Sequence, residues 1–210
     1  MSESLAERAY AQLRDRIVTL RIEPGEPLRD EELGAELGVG RTPVREALKR
    51  LENDRLVVAF PRRGTFATTV DITDLRHITE VRRQLEPVAG RAAAERADAA
   101  QRAELERLLA TIDGSLADAE PGRLMDLDMT LHRALYTATN NPYLQDTLVY
   151  YDNLATRIWC LCLGRLPAMA EHVAEHRPLL RAVIDGEPET AAALARDHLE
   201  HFEQAVRSAL

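Results

Sequence analysis

The sequence predicts a mainly α-helical protein with one small β-hairpin near residue 60. Apolar residues recur every three or four positions over most of the chain, which is the spacing of amphipathic helices. Two short β-prone runs, Leu56–Phe60 and Thr65–Thr68, flank a Gly-containing turn. After residue 70 the chain is rich in alanine and leucine and has no alternating strand pattern. The predicted divisions are a first domain over residues 1–70, a linker over 71–74 and an all-helical domain over 75–210.

Three helices are predicted before the hairpin, over residues 5–20 and 31–37 and from Thr42-Pro43 onward. Asp30 is expected to cap the second helix, and Gly38 to end it. Proline is favoured at the first helical position, so Pro43 marks the start of the third. The order helix, helix, glycine turn, helix and hairpin is that of a winged helix-turn-helix.

The second domain is predicted to be an antiparallel bundle of six or seven helices. Asn141-Pro142 is a cap followed by proline at the first helical position. Gly186 and Pro188 separate the last two helices. The expected spans are 74–97, 101–118, 122–139, 142–164, 167–185 and 188–207.

The net charge of −8 is unevenly distributed along the chain. Twelve basic and twelve acidic residues lie within the first 70 residues, so the whole excess of negative charge falls on 71–210. Residues 41–63 alone contain seven basic and three acidic residues. This local excess of positive charge suits contact with a phosphate backbone, while the acidic remainder limits non-specific binding. Charges throughout residues 1–20, and the lack of a long apolar run, favour a cytoplasmic protein with no membrane contact.

The third helix and the hairpin contain the candidate DNA-binding residues. Arg41 and Arg45 lie four positions apart, so they project from one face at the helix start, the part that enters a major groove. Arginine can donate two hydrogen bonds to guanine there. The alternative is an ordinary solvated face, but the like-charged pair Arg45 and Lys49 is better placed against phosphates. The predicted set is Arg41, Thr42, Arg45, Lys49, Arg62, Arg63 and Gly64.

Four polar residues of the helical domain project toward the bundle interior. Asp128 and His132 flank the apolar face of one helix, and His176 and His198 lie within the apolar stripes of two others. A buried aspartate is costly unless it is paired. A divalent transition metal would neutralise the carboxylate and bind the imidazoles, so these four residues are predicted to bind a metal.

Two stretches of the sequence resemble known families. The segment PGEPLRDEELGAELGVGRTPVREALKRLENDRLV, followed by PRRGTF, looks like the N-terminal domain of the GntR family of bacterial regulators. By this resemblance Arg41 and Arg45 read bases, and Gly64 allows close approach to DNA. Gly40 departs from the family's usual serine or threonine. Glu31 stands where a basic residue is often found. Both departures bear on DNA affinity.

Residues 74–207 resemble the FCD ligand-binding domain of the FadR subfamily. In its metal-binding members the positions of Asp128, His132, His176 and His198 hold zinc or a similar ion, with nickel and manganese as alternatives here. The resemblance implies that Arg82 binds the carboxylate of a small effector, although an internal salt bridge with Glu86 is the alternative. Trp159 is expected to line the same cavity or to pack in the core.

The resemblance implies a homodimeric transcriptional regulator, expected to be a repressor, that binds a pseudo-palindromic operator in double-stranded DNA. A small carboxylate metabolite would modulate this binding. Two alternative functions account for part of the sequence. A metal-dependent hydrolase would use the metal to activate water, but no convincing general base accompanies the site. An architectural DNA-binding protein would leave the inward-facing aspartate and histidines unexplained.

Overall fold

The computed structural model describes residues 4–115, 120–162 and 169–209. The chain divides into two compact units. One comprises Met1–Ile72 with Thr156–Cys160, and the other comprises Thr73–Ala155 and Leu161–Leu210. Helix predominates, and the strands lie between residues 27 and 67, which confirms the predicted fold class. Within the described ranges, no helix is both long and apolar enough to span a membrane.

The first unit contains three helices and a three-stranded antiparallel sheet. In chain order they are α1 (Leu5–Val18), β1 (Pro27–Leu28), α2 (Asp30–Leu37), α3 (Arg41–Asn53), β2 (Val57–Phe60) and β3 (Gly64–Ala67). Strand β3 lies between the other two. The predicted hairpin is present, but the two-residue strand β1, which pairs Pro27 with Phe66, was not predicted.

The core of this unit fixes which side of α3 faces solvent. Helix α1 packs against α3, and Leu13, Val44 and Leu51 are completely buried. Because these apolar positions repeat at helical spacing, the opposite side of α3 presents its charged residues to solvent. The exposed basic face of α3 is thus a direct result of core packing.

Two predicted helix starts in this unit are wrong. Asp30 is the first residue of α2 rather than its cap; Arg29 occupies the cap position, with no hydrogen bond from its side chain. Helix α3 begins at Arg41, with Gly40 at its cap, so Thr42 lies inside the helix. The carboxylate of Asp30 binds side chains of α3 instead of the backbone, which explains why it does not cap.

Seven further helices lie in the described ranges of the second unit, except that one of them includes Thr156–Cys160 of the first unit. They are α4 (Asp74–Arg96), α5 (Ala99–Ser115), α6 (Pro121–Ala138), α7 (Pro142–Cys162), α8 (Met169–Ala174), α9 (His176–Asp185) and α10 (Pro188–Ala209). Asn141 accepts hydrogen bonds from the amides of Tyr143 and Leu144, as a cap does. Helix α5 starts earlier than predicted because Asp98 and Gln101 form a reciprocal capping box.

The single helix predicted over 167–185 is wrong, because the structure has α8 and α9 with Glu175 between them. Pro178 supplies the physical reason. It has no amide hydrogen to donate to Ala174, and its ring clashes with that carbonyl, so a continuous helix is disfavoured. The predicted ends at 118 and 164 and the predicted start at 167 lie outside the described residues.

Helices α4 and α10 pack closely along their length. Gly90 lies at their contact, where an added Cβ would come within 2.6 Å of the Ala191 carbonyl oxygen. Helices α6 and α9 also pack on α4. Inward-facing side chains of α6, α9 and α10 are therefore brought near one another inside this bundle.

Candidate DNA-binding face and metal centre

Arg41 and Arg45 lie on the exposed face at the start of α3, with side chains 56% and 65% exposed. Both approach the carboxylate of Asp30 on α2. The Nε atom of Arg45 donates at 2.5 Å, and Arg41 lies at 3.5 Å. The hydrogen bond from Arg45 lowers the pKa of Asp30. The two arginines are therefore oriented by an ionised carboxylate.

The remaining basic residues of α3 differ in their surroundings. Lys49 is exposed one turn beyond Arg45, and Thr42 is also exposed. Arg50 donates to both carboxylate oxygens of Glu7 and lies over the ring of Tyr10. The structure thus separates Lys49, whose side chain faces solvent, from Arg50, which is paired within the unit.

The turn of the hairpin exposes two arginines and a glycine. Arg62 has a left-handed backbone with φ 64°, and Gly64 has φ 103°, a conformation that favours glycine. The guanidinium of Arg63 lies 5.7 Å from the ring centre of Phe60. The turn is consequently a narrow, basic projection.

Asp128, His132, His176 and His198 converge inside the second unit from α6, α9 and α10. One ligand atom from each lies within 4.8 Å of every other. The Nε2 atom of His132 is 3.9 Å from one oxygen of Asp128, and Nδ1 of His176 is 3.8 Å from the other. All four are buried. The four residues predicted to bind a metal are therefore brought together.

Two of these histidines are oriented by outer partners. Nδ1 of His132 lies 3.1 Å from the hydroxyl of Tyr136, which itself donates to Glu86. Nδ1 of His198 lies 3.0 Å from a carboxylate oxygen of Glu175. Each histidine thereby donates from Nδ1, which leaves the lone pair of Nε2 for the interior of the cluster.

Burial controls the ionisation of the cluster. It lowers the pKa of His132 to about 3 and lowers those of His176 and His198 well below the ordinary value. It raises the pKa of Asp128 well above its ordinary value, and Asp152 adds to that rise. Neutral imidazoles are the form that binds metals, so this environment favours the donor state of the three histidines, whereas Asp128 would give up its proton on binding a metal.

The unsatisfied polar atoms of the cluster fit a bound cation. Oδ1 of Asp128 and both ring nitrogens of His176 are buried without a hydrogen-bond partner of good geometry in the described part of the chain. Such atoms are costly inside a protein. One carboxylate and three imidazoles are a donor set that suits zinc, nickel and related ions. The residues present thus fit a divalent transition metal.

Arg82 lies in a buried polar network beside the cluster. Its guanidinium donates twice to Glu86 at 2.9 and 2.7 Å and lies 3.2 Å from Asp152. Burial opposes its charge, but Glu86, Tyr136 and Asp152 raise the pKa of Arg82 above its ordinary value. The internal salt bridge between Arg82 and Glu86, which is the predicted alternative to an effector role, is present.

Trp159 lies on helix α7. It is buried, with 3% exposure. It belongs to the part of α7, Thr156–Cys160, that packs with the first unit. Its burial is consistent with core packing, the expected alternative to a cavity-lining role.

Comparison with known families accounts for both units. Residues 5–67 match the model for bacterial regulatory proteins of the gntR family, and residues 77–201 match the FCD domain. The chain belongs to the GntR family. An HTH-type transcriptional regulator in an unstable DNA locus of Streptomyces ambofaciens is 31% identical over 190 residues, 90% of this chain and 80% of that protein.

Two further similarities extend over the whole GntR-family chain. A probable D-xylose utilization operon transcriptional repressor of Paenarthrobacter nicotinovorans is 28% identical, over 91% of this chain and 86% of that protein. The solved structure of Escherichia coli McbR/YncC has a TM-score of 0.84 at 22% identity, covering 99% of both chains, and so supports the fold. This GntR-family chain is a DNA-binding transcriptional regulator rather than an enzyme.

Several residues of this GntR-family site were not predicted from sequence. Asp30, Tyr136 and Glu175 act through side-chain contacts with residues on other turns or helices. His172 is not among the predicted metal ligands, yet it is buried beside Asp128. For Tyr136, a signal was present, because it lies four positions after His132 on the same helix face.

Proposed function

We propose that this regulator binds its operator as a homodimer under the control of a small carboxylate metabolite and a divalent transition metal in the FCD domain. The convergence of Asp128, His132, His176 and His198, with buried atoms that lack hydrogen-bond partners, carries the proposal. Repression is the expected mode, and the relative that is named a repressor supports it. A pseudo-palindromic operator follows from two half-sites, because one recognition helix covers few base pairs.

The proposed DNA contacts combine base reading with phosphate binding. Arg41 and Arg45 would read base edges in the major groove, while Thr42 and Lys49 would meet phosphates. The wing residues Arg62, Arg63 and Gly64 would lie along the backbone or minor groove. The exposure of these seven residues supports the assignment.

The test of the DNA contacts is the change of Arg41 and Arg45 to alanine, measured as retention of operator DNA in a gel at moderate salt. Loss of a bidentate contact costs about 1–3 kcal/mol for each residue, so the double variant should bind at least tenfold more weakly. Arg50→Ala is the matched control, because Arg50 lies on the same helix as Arg41 and Arg45 but pairs with Glu7 of α1. Unchanged retention by the double variant would contradict the proposed contacts.

The proposed metal would offer open coordination positions to an oxygen of the effector. Zinc is the first expectation, with nickel or manganese as alternatives. Around it Tyr136 and Glu175 fix the ring orientation of His132 and His198. The proposed effector residues are Arg82, whose positive charge suits a carboxylate, and Trp159. Competition with Glu86 and Asp152 for Arg82 would then accompany effector binding.

The test of the metal centre combines metal analysis with a thermal-shift screen of organic acids. Purified protein should contain one transition-metal ion per chain, and Asp128→Asn should lose it. An acid that binds should raise the melting temperature only when the metal is present. Glu171→Gln, an acid of α8 outside the cluster, is the control. A full metal content in Asp128→Asn would contradict the proposed metal site. A rise in melting temperature with an organic acid that persists in the presence of chelator would contradict the proposed link between metal and effector binding.

A further inference from the structure

His172 is a buried histidine beside the proposed metal centre. It lies on α8, one helical turn before His176, and its side chain is 8% exposed. Its ring stacks on that of His198 with centroids 4.3 Å apart. The break between α8 and α9 at Glu175 therefore does not carry His172 away from the cluster.

The distances place His172 as near to Asp128 as the expected ligands are. Its Nε2 atom is 3.5 Å from Oδ1 of Asp128, whereas Nδ1 of His176 is 3.8 Å from the same oxygen. Nε2 of His132 is 3.9 Å from Oδ2. Donor atoms about 2.1 Å from one ion lie roughly 3.0–3.4 Å apart when adjacent. His172 is thus as close to Asp128 as these neighbours are, but the set around Asp128 whose ligand atoms all lie within 4.8 Å of one another is Asp128, His132, His176 and His198. Binding the same ion therefore requires the His172 ring to move toward the other three histidines.

We propose that His172 is a fifth protein ligand of this metal, which would be held by one carboxylate and four imidazoles. The inference rests on the metal centre proposed above. A separate ion held by His172, Glu175 and His198 is the competing arrangement. The shared ion is favoured, because Glu175 already receives hydrogen bonds from His198 and His201, while Oδ1 of Asp128 has no such partner among the described residues.

A fifth ligand changes what the centre can bind. A six-coordinate ion held by four protein ligands has two open positions, and one held by five has a single open position. The effector would then bind through one carboxylate oxygen, and chelation by two oxygens would require a protein ligand to leave. Four imidazoles also favour zinc or nickel over manganese, which prefers oxygen ligands.

The experiment is a count of imidazole ligands by X-ray absorption spectroscopy on the full chain loaded with Zn²⁺, and separately with Ni²⁺. We expect four imidazoles in the unchanged protein and three in His172→Ala. The variant should also bind the ion at least about tenfold more weakly in competition with a chelator, since even losing an outer partner costs that much. His172→Gln, which keeps a similar side-chain size, serves if the alanine variant does not fold.

His201→Ala is the matched control, since His201 also bonds Glu175 but is exposed, and it should keep four imidazoles. Three imidazoles in the unchanged protein, with no change in His172→Ala, would overturn the assignment while leaving the metal centre intact. Two ions per chain would overturn it in favour of a separate site. Protein that binds neither ion would refute the metal centre itself, and the fifth ligand with it.

Discussion

Asp30 illustrates how one side chain can set the behaviour of a DNA-reading surface. Its carboxylate holds Arg41 and Arg45 together at the start of α3. Free arginine side chains sample many rotamers, and fixing them beforehand reduces the entropy lost on binding. The same carboxylate repels phosphates. Asp30 is thus expected to lower total DNA affinity while raising the discrimination between sequences.

Asp30→Asn should therefore bind non-operator DNA severalfold more tightly and show a smaller ratio of operator to non-operator affinity. Titrations of an operator duplex and a scrambled duplex at fixed salt measure both quantities. Glu31→Gln removes the same charge from the next residue of α2, which is exposed. It should raise both affinities alike and leave the ratio unchanged. An unchanged ratio in Asp30→Asn would exclude a positioning role.

Arg82 combines a proposed effector role with a structural one, and a stability measurement separates them. Arg82→Met leaves Glu86 and Asp152 buried without their partner, which typically costs about 3–5 kcal/mol. Arg91→Met breaks an exposed pair with Glu189 and should cost less than about 1 kcal/mol. Urea unfolding measures both. Equal losses would show that the buried pair contributes no more than the surface pair.

Sequence periodicity predicted the four converging residues of the proposed metal site, because each lies at a helical spacing from apolar neighbours. The same projection could not predict Glu175, whose partner His198 lies on another helix. It also did not select His172. Contacts between helices depend on how the helices pack, and a single-helix projection does not contain that information.

At the scale of elements, the contact between α4 and α10 depends on Gly90. Its missing side chain lets the backbone at Ala191 and Ala192 approach, and these backbone atoms cannot move aside as a flexible side chain would. Gly90→Ala should lower the free energy of unfolding by about 1–3 kcal/mol, because overpacking outweighs the higher helix propensity of alanine.

Gly114→Ala is the matched control for this change. Gly114 also lies in a helix, α5, but an added Cβ there meets no atom of the described residues within 4 Å. It should be neutral or slightly stabilising. Thermal or urea unfolding of the two variants decides the matter. A Gly90 variant as stable as the unchanged protein would mean that α4 and α10 can separate at little cost.

Helix spans were largely predictable, whereas short elements and interruptions were not. Strand β1 has only two residues, too few for an alternating pattern, and it exists because β3 offers a free edge. Pro178 was a visible signal for the break before α9, but the apolar periodicity continued through it and favoured one helix. The effect of Pro178 on the helix backbone outweighed the apolar periodicity there.

At the scale of the whole molecule, metal-free protein should lose stability as the pH falls below about 6.5. Folding lowers the pKa values of four histidines, to about 3 for His132 and well below the ordinary value for His172, His176 and His198. Below pH 6.5 these histidines therefore bind more protons in the unfolded chain than in the folded one. Raised pKa values of Asp128, Asp152 and Glu175 act oppositely. The four histidines outnumber these three carboxyls, so a net loss of stability on acidification is expected.

Urea unfolding with chelator present, at pH 7.5 and pH 5.5, measures this dependence. His176→Gln should reduce the loss, because it removes one titrating group, while His201→Ala, at an exposed position, should not. Stability that stays constant or rises on acidification would contradict the expected ionisation of the cluster. Added Zn²⁺ should raise stability more at pH 7.5, since protons compete for its ligands.

The central position of β3 has a consequence for how operator preference can diverge. Both edges of β3 are hydrogen-bonded, to β1 and to β2, so the register of the wing is anchored away from its tip. The three residues between β2 and β3, Pro61 to Arg63, are the part of the hairpin outside this ladder. These three residues form a tip that can be replaced without changing the strand pairing. A change in its length or charge would alter the proposed contact of the wing with DNA and leave the position of α3 unchanged.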